Sequence, residues 1–527
     1  MALATVSGSR GMVTAPHHLA SEAGLSVLRD GGNAIEAVVA VAASLAVVYP
    51  HMTGIGGDGF WLIAEPDGRV HGIHGCGGAA ANADLALYAG LETVPTRGPL
   101  AANTVAGTIS GWAAALEIGG RNLPLARLLR DAIAHADAGV PVTAGGAAIA
   151  AAKGGELRIQ PGAYAPIFES EGRSLREGET LRQPALAATL TRLAVDGLDS
   201  FYAGGLAADI AADLAALGTP VSAADLAAHR ATQPAPLRVE TRHGTLYNSA
   251  PPTQGFASLM ILALFDRLAA NEADGFAHVH GLVEATKQAF LLRDQHVGDP
   301  DYHDFDHQAA LSDGAALDAL AADISPETAL SWPQPSQWGD TCWFAAADAE
   351  GRVVSAIQST YFEFGSGIVL PRTGIIWQNR GSSFRLAKSG WNALKPGRKP
   401  FHTLNPALAR FVDGRVMAYG TMGGEGQPQT QAAVFSRYAR FGIDLQEAIS
   451  RPRWLLGRTW GEQSTTLKLE DGFAPELYDQ LAAAGHDVER VGLLTAMMGH
   501  AGAIVRHADG RLEGATDPRS DGKVAAW

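Results

Sequence analysis

The sequence predicts an α/β protein in which β-sheets are sandwiched between helical layers. Three observations predict it. Helical spacing dominates the first part of the chain, alternating strands take over near Trp332, and helical segments return after about residue 431 with no flexible linker in between.

Leu19, Ala23 and Val27 repeat at helical spacing ahead of Gly31 and Gly32, and a more apolar helix is expected from about Ala34 to Val47, ahead of Pro50. A glycine-rich turn then leads into a hairpin: Phe60 to Ala64, a Pro66-Asp67-Gly68 turn, and Val70 to Ile73. Residues from about 124 to 330 read as mostly helical, with alanine-rich stretches punctuated by Gly and Pro. The segment PQPSQWGD closes that part. TCWFAAADAEGRVVSAIQST then reads as two strands around an Asp348 to Arg352 turn. GIVL, GIIWQN, PALARFV and GRVMAYG read as further strands, and helices are expected at about 431 to 450 and 474 to 485. No internal repeat is visible.

A chain of 527 residues exceeds what one hydrophobic core usually serves, so two packed lobes or one large layered domain are expected. With 47% hydrophobic and 18% charged residues and 62 glycines, the composition is that of a compact enzyme and not of a disordered or fibrous chain. Forty Lys and Arg against 54 Asp and Glu give a net charge of −14, which repels nucleic acid and anionic membrane surfaces. A small-molecule partner is expected. Cys76 and Cys342 are the only cysteines, too few for a disulfide framework and suited to a reducing compartment. The N-terminal segment carries no apolar stretch of signal-peptide length, and the longest apolar run, Ala37 to Val48, is about 12 residues against the roughly 20 of a membrane helix. The expectation is a cytoplasmic protein.

At Gly339-Asp340-Thr341-Cys342-Trp343 a hydroxyl stands between a polar loop and a strand. By itself that is a β-former opening a strand. Its context changes the reading. From about Gly11 onward the chain carries GMVTAPHHLASEAGLSVLRDGGNAIEAVVA, PHMTGIGGDGFWL, LPLARLLRDAIAHADAGVPV, LVEATKQAFLLRDQHVGDP, FGSGIVLPRTGIIWQN and GTMGGEGQPQTQ. In these segments it resembles the γ-glutamyltransferase family of N-terminal-nucleophile hydrolases. The resemblance implies a four-layer α/β/β/α sandwich with no cofactor. It also implies cleavage between Asp340 and Thr341 into a large chain of residues 1–340 and a small chain of 341–527, paired as one composite domain and possible as a dimer of such heterodimers. Thr341 would then be the nucleophile. A threonine hydroxyl is a poor nucleophile at neutral pH, but a free α-amine on the same residue, with a pKa near 8, can take its proton. Alternation points Cys342 to the opposite face of the strand. Gly423 and Gly424 match the family's paired glycines, whose N–H groups hold the developing oxyanion; the alternative is a tight turn needing positive φ. Ser359 takes the place of a family threonine beside the nucleophile.

Substrate recognition departs from the family pattern. The arginine and aspartate that hold a γ-glutamyl head group are replaced by His74-Gly75-Cys76-Gly77 and by Ser383 in Gln378-Asn379-Arg380-Gly381-Ser382-Ser383-Phe384, and the helping asparagine is Tyr361. A charged head group without partners forfeits several kcal/mol in a closed pocket. In their place stand Arg380, a fixed cation, and His402-Thr403 where the family has paired serines. That set suits an anionic substrate lacking an α-amine. The resemblance is closest to the oxamate amidohydrolase-like branch, which implies a threonyl acyl-enzyme acting on a small amide such as oxamate, within purine degradation. A γ-glutamyl hydrolase or transferase, or a cephalosporin-type acylase, is the alternative. Structural roles remain open for Arg380, as a salt bridge, and for His402, as a hydrogen-bonded core residue. His296, His303 and His307 lie among several aspartates; Pro300 argues for a solvated loop there and against a helical zinc pair, so no metal is assigned.

Overall fold

The computed structural model describes residues 3–332, 340–457 and 464–527, with Asp340 described by its backbone alone. The polar stretch 333–339 ahead of the expected cleavage point lies outside the described residues. Two mixed-order antiparallel sheets carry the fold. The first is built from β1 (Val6–Gly8), β5 (Leu237–Thr241), β6 (Gly244–Asn248), β9 (Ala407–Phe411), β10 (Val416–Gly420), β11 (Gly502–Arg506) and β12 (Leu512–Thr516), in the order β1-β12-β11-β10-β9-β6-β5. The second is built from β2 (Gly11–Ala15), β3 (Asp58–Ala64), β4 (Val70–Gly75), β7 (Asp340–Asp348), β8 (Val353–Tyr361) and β13 (Lys523–Ala526), in the order β13-β2-β7-β8-β3-β4.

The period of two along each strand divides the core into three slabs. In β7, Cys342, Phe344 and Ala346 join one slab with Trp61, Ile63, Val354 and Ala356. This slab packs beneath the helices α1 (His18–Arg29), α2 (Ala34–Val48), α3 (Thr108–Gly119), α4 (Leu125–Ala138) and α5 (Pro184–Asp196). The alternate residues Trp343, Ala345 and Ala347 join Phe60, Leu62, Leu408, Ala418 and Ile504 between the two sheets. The outer face of the first sheet, through Val239, Leu246, Ala409, Met417 and Val505, packs on α6 (Gly255–Arg267), α7 (Phe276–His296) and α8 (Gly426–Ala439). The result is a four-layer α/β/β/α sandwich. Every residue of α2 is buried, as an all-round apolar helix requires. An Asn33/Glu36 capping box starts it, and Asp348 Oδ2 accepts from Ala34 N–H at 2.9 Å, tying the helix to the β7–β8 hairpin.

Two expectations need correction. The stretch from 124 to 330, read as mostly helical, contains the β5–β6 hairpin, whose strands are only five residues each with one apolar face, too short to stand out among alanine-rich helices. GIVL and GIIWQN are not strands of either sheet; they touch through a single bridge, Val369 to Ile376. Gly365, Gly367 and Gly374, all at positive φ, turn the chain too often there for a ladder to form.

Candidate active site

Strand parity assembles the floor of the site. Trp343, Ile357 and Phe60 face the space between the sheets, so Thr341, Ser359 and Asp58, each two residues away along its strand, take the same face. Ser359 pairs with Asp58 across β8 and β3, and Asp340 pairs with Tyr361 across β7 and β8, with a register shift between Asp340 and Cys342. The shift is a bulge in β8, where Ser359 and Thr360 together oppose Thr341. Thr341 is fully buried, and its hydroxyl accepts from Gln427 Nε2 at 3.4 Å. Ser359 Oγ accepts from Tyr361 N–H at 2.8 Å. Cys342 lies in the slab beneath the helices, on the other face of β7.

Loops of the first sheet form the roof. Gly423 and Gly424 follow β10 with φ of 115° and 52°, conformations that favour glycine. Their carbonyls are tied away from the site: Gly423 O accepts from Gly426 N–H at 2.8 Å and Gly424 O from Gln254 Nε2 at 2.8 Å. Among the described residues their own N–H groups have no acceptor.

A buried polar cluster closes the side. Arg380 opens a short 3-10 turn, and its guanidinium lies 3.8 Å over the ring of Tyr361, a bulky residue held at a φ of 84°. Arg380 Nη1 donates to Thr403 Oγ1 at 3.2 Å, while Nε and Nη2 have no hydrogen-bond acceptor among the described residues. Next to Thr403, His402 packs edge-on against Phe60, and its Nε2 lies 3.2 Å from Asp58 Oδ2. That contact is off the line of a hydrogen bond, so both imidazole nitrogens and Asp58 Oδ2 stay unpartnered. Asp58 Oδ1 accepts from Gly107 N–H at 3.1 Å and Gln378 Nε2 at 3.0 Å. Burial pushes the Asp58 carboxyl up to about 7 against the pull of Arg380 and these donors. Burial, and then the Arg380 charge, hold His402 well below the ordinary imidazole range, so it is neutral. Burial lowers Arg380 to about 10, which leaves it cationic.

Thr341, Ser359, Tyr361, Arg380, His402, Thr403 and the two glycines therefore converge. Ser383 sits on the same turn, but its hydroxyl donates to Phe401 O at 3.4 Å, and Asn392 Nδ2 lies 3.4 Å from it. Sequence reasoning missed Asp58, Gln378 and Gln427. Asp58 had a signal: it stands two residues before Phe60 on an alternating strand.

His303 ends a 3-10 turn and His307 begins a separate short helix, so the two do not share a helix face; His307 Nε2 bonds to His296 O at 3.1 Å. Elsewhere His280, Glu284 and His486 bring possible ligand atoms together. Lys287 Nζ, 2.7 Å from Glu284 Oε1, already supplies the cation there. Glu284 and Lys287 also grip the backbone of Leu330, upstream of Asp340, through its N–H at 3.0 Å and its C=O at 2.6 Å. Among the described residues no helix is long and apolar enough to cross a membrane.

Comparison with known proteins agrees with this layout. Residues 20–527 match the family described as gamma-glutamyltranspeptidase. Over 98% of this chain and 99% of the relative, the sequence is 56% identical to the oxamate amidohydrolase proenzyme of Klebsiella pneumoniae. It is 40% identical to a glutathione hydrolase-like proenzyme of Bacillus subtilis over 98% of each chain. A cephalosporin acylase from Bacillus halodurans superposes with a TM-score of 0.92 at 34% identity, over 100% of this chain and 97% of that one.

Proposed function

Because the chain belongs to the gamma-glutamyltranspeptidase family, we propose that it is a self-processing amidohydrolase that hydrolyses a small amide of a carboxylic acid without an α-amine, such as oxamate. Self-cleavage runs between Asp340 and Thr341 and yields chains 1–340 and 341–527. In the precursor the Thr341 hydroxyl attacks the Asp340 carbonyl, and water hydrolyses the resulting ester. In the mature site the freed α-amine takes the hydroxyl proton as Oγ1 attacks the substrate amide carbon. The N–H groups of Gly423 and Gly424 hold the oxyanion. Collapse expels the amide nitrogen, which leaves as ammonia carrying the proton from the α-amine, and water then cleaves the threonyl ester. From oxamate the products are oxalate and ammonia. Ser359 supports the nucleophile's strand end, and Tyr361, Thr403 and Ser383 shape the pocket.

Arg380 is the observation that carries the substrate reading: a fully buried cation whose Nε and Nη2 donors have no acceptor among the described residues, beside a neutral His402. Two free N–H groups of a planar guanidinium match a carboxylate. The similarity to the Klebsiella proenzyme supports the same choice. Two cysteines and a net charge of −14 fit a cytoplasmic enzyme; a place in purine degradation, taken from the resemblance to the oxamate amidohydrolase-like branch, and pairing of heterodimers belong to the same proposal.

The test is a denaturing gel with an ammonia assay across small amides with and without an α-amine. Wild type runs as two bands and releases ammonia from oxamate far faster than it cleaves γ-glutamyl-p-nitroanilide. Thr341→Ala stays as one band near 54.8 kDa and loses activity by more than about a thousandfold. Full-length material that turns over amides after this substitution overturns the mechanism; comparable rates on γ-glutamyl-p-nitroanilide replace the substrate.

A further inference from the structure

We propose that Asp58 takes up a proton when an anionic substrate binds at Arg380, so that the buried cluster keeps a single negative charge against the guanidinium. The inference rests on the reading of Arg380 as the anion's partner and adds the proton that accompanies it.

The geometry requires some such coupling. Asp58 and Arg380 are both fully buried in one cluster and act on each other as charges: Gln378 donates to Asp58, and Arg380, two residues further along the chain, donates to Thr403 next to His402. An ionised Asp58 offsets the guanidinium charge in the empty site. An incoming carboxylate would put a second negative charge in the same dry volume, and two like charges there drive one of them to protonate. The substrate carboxylate, paired with the Arg380 fork, keeps its charge, and Asp58 takes the proton.

The groups that face Asp58 leave it the free titration near neutrality. Arg380 stays cationic, and His402 and His74 are neutral. Burial pushes the Cys76 thiol up to about 12 and raises the Tyr202 phenol as well. Lys399 and Asp299 act on this cluster only as more remote charges. Burial brings Asp58 itself to about 7. The α-amine of Thr341 in the processed enzyme is of a type whose ordinary pKa is near 8, and it is present in every variant below.

Oxalate binding to the processed enzyme, followed by calorimetry in two buffers of different ionisation heat, reads the coupling. In wild type, proton uptake should rise from little at pH 6 towards about one proton at pH 8, and apparent affinity should fall about tenfold per unit above pH 7. Asp58→Asn should bind oxalate with affinity nearly level from pH 6 to 8.5 and without that uptake; any slope left belongs to the α-amine. Oxalate binding to wild type without proton uptake at pH 8 overturns the coupling alone, and needs no variant to fold. Uptake undiminished in Asp58→Asn also overturns it. No oxalate binding at any pH overturns the reading of Arg380, and the coupling with it.

Discussion

Two buried arginine networks use the same chemical groups and differ in how they finish their hydrogen bonds. In the first, Arg519 Nε donates to Glu470 Oε1 at 2.9 Å, Nη1 to Asp517 Oδ1 at 3.1 Å, and Nη2 to Glu470 Oε2. Arg453 joins it through Asp517 and the carbonyls of Ile449, Met498 and Gly499, with only its Nε unpartnered among the described residues. In the second, Arg380 makes one hydrogen bond to protein and faces a carboxyl and an imidazole that are themselves incomplete. Burial lowers Arg453 and Arg380 alike to about 10. The electrostatic cost therefore does not separate a structural network from a receptive one; the unmatched donors do.

The widest separation should come from Arg519→Met. It strands Glu470 as a buried charge, leaves Asp517 with Arg453 alone, and should destabilise the protein by about 3–5 kcal/mol, seen as a fall in thermal midpoint at fixed scan rate. An unchanged midpoint would erase the contrast. Arg380→Met should do the reverse: kcat/KM for an anionic amide should fall on the order of a hundredfold, with the midpoint not lowered, because two unmatched donors leave with the side chain. Loss of stability without loss of activity would move Arg380 into the structural class. The smallest effect should come from Cys342→Ala. Trimming a thiol in the helix-facing slab should cost about 1 kcal/mol of stability and leave kcat within about twofold. A larger loss of turnover would bring that face of β7 into the chemistry.

The parts of the fold that read clearly from the sequence are those with a long, unbroken period. The α2 helix, the β3–β4 hairpin and the β7–β8 hairpin carry enough consecutive alternation or apolar residues to be placed locally. The β5–β6 hairpin does not, because its place in the sheet is decided by β9, which lies far along the chain. The same division runs through the site. Thr341, Arg380 and His402 stand out by residue type against family motifs, whereas Asp58, Gln378 and Gln427 gain meaning only from cross-strand register and from loops that meet in space. The alternation of β3 gives the face that Asp58 takes, but no local hint that a guanidinium will lie beside it.

The order of strands in the second sheet, β13-β2-β7-β8-β3-β4, has a consequence for a chain divided after Asp340. β13, β7 and β8 would come from one piece and β2, β3 and β4 from the other, so hydrogen-bonded seams between the pieces run at β13/β2, β2/β7 and β8/β3. The first sheet adds seams at β1/β12 and β9/β6. Neither piece owns the whole of either of these two sheets. Dilution should not part them, and mixing tagged with untagged enzyme should give no exchange of pieces short of unfolding, so the nicked protein behaves in solution as one inseparable body.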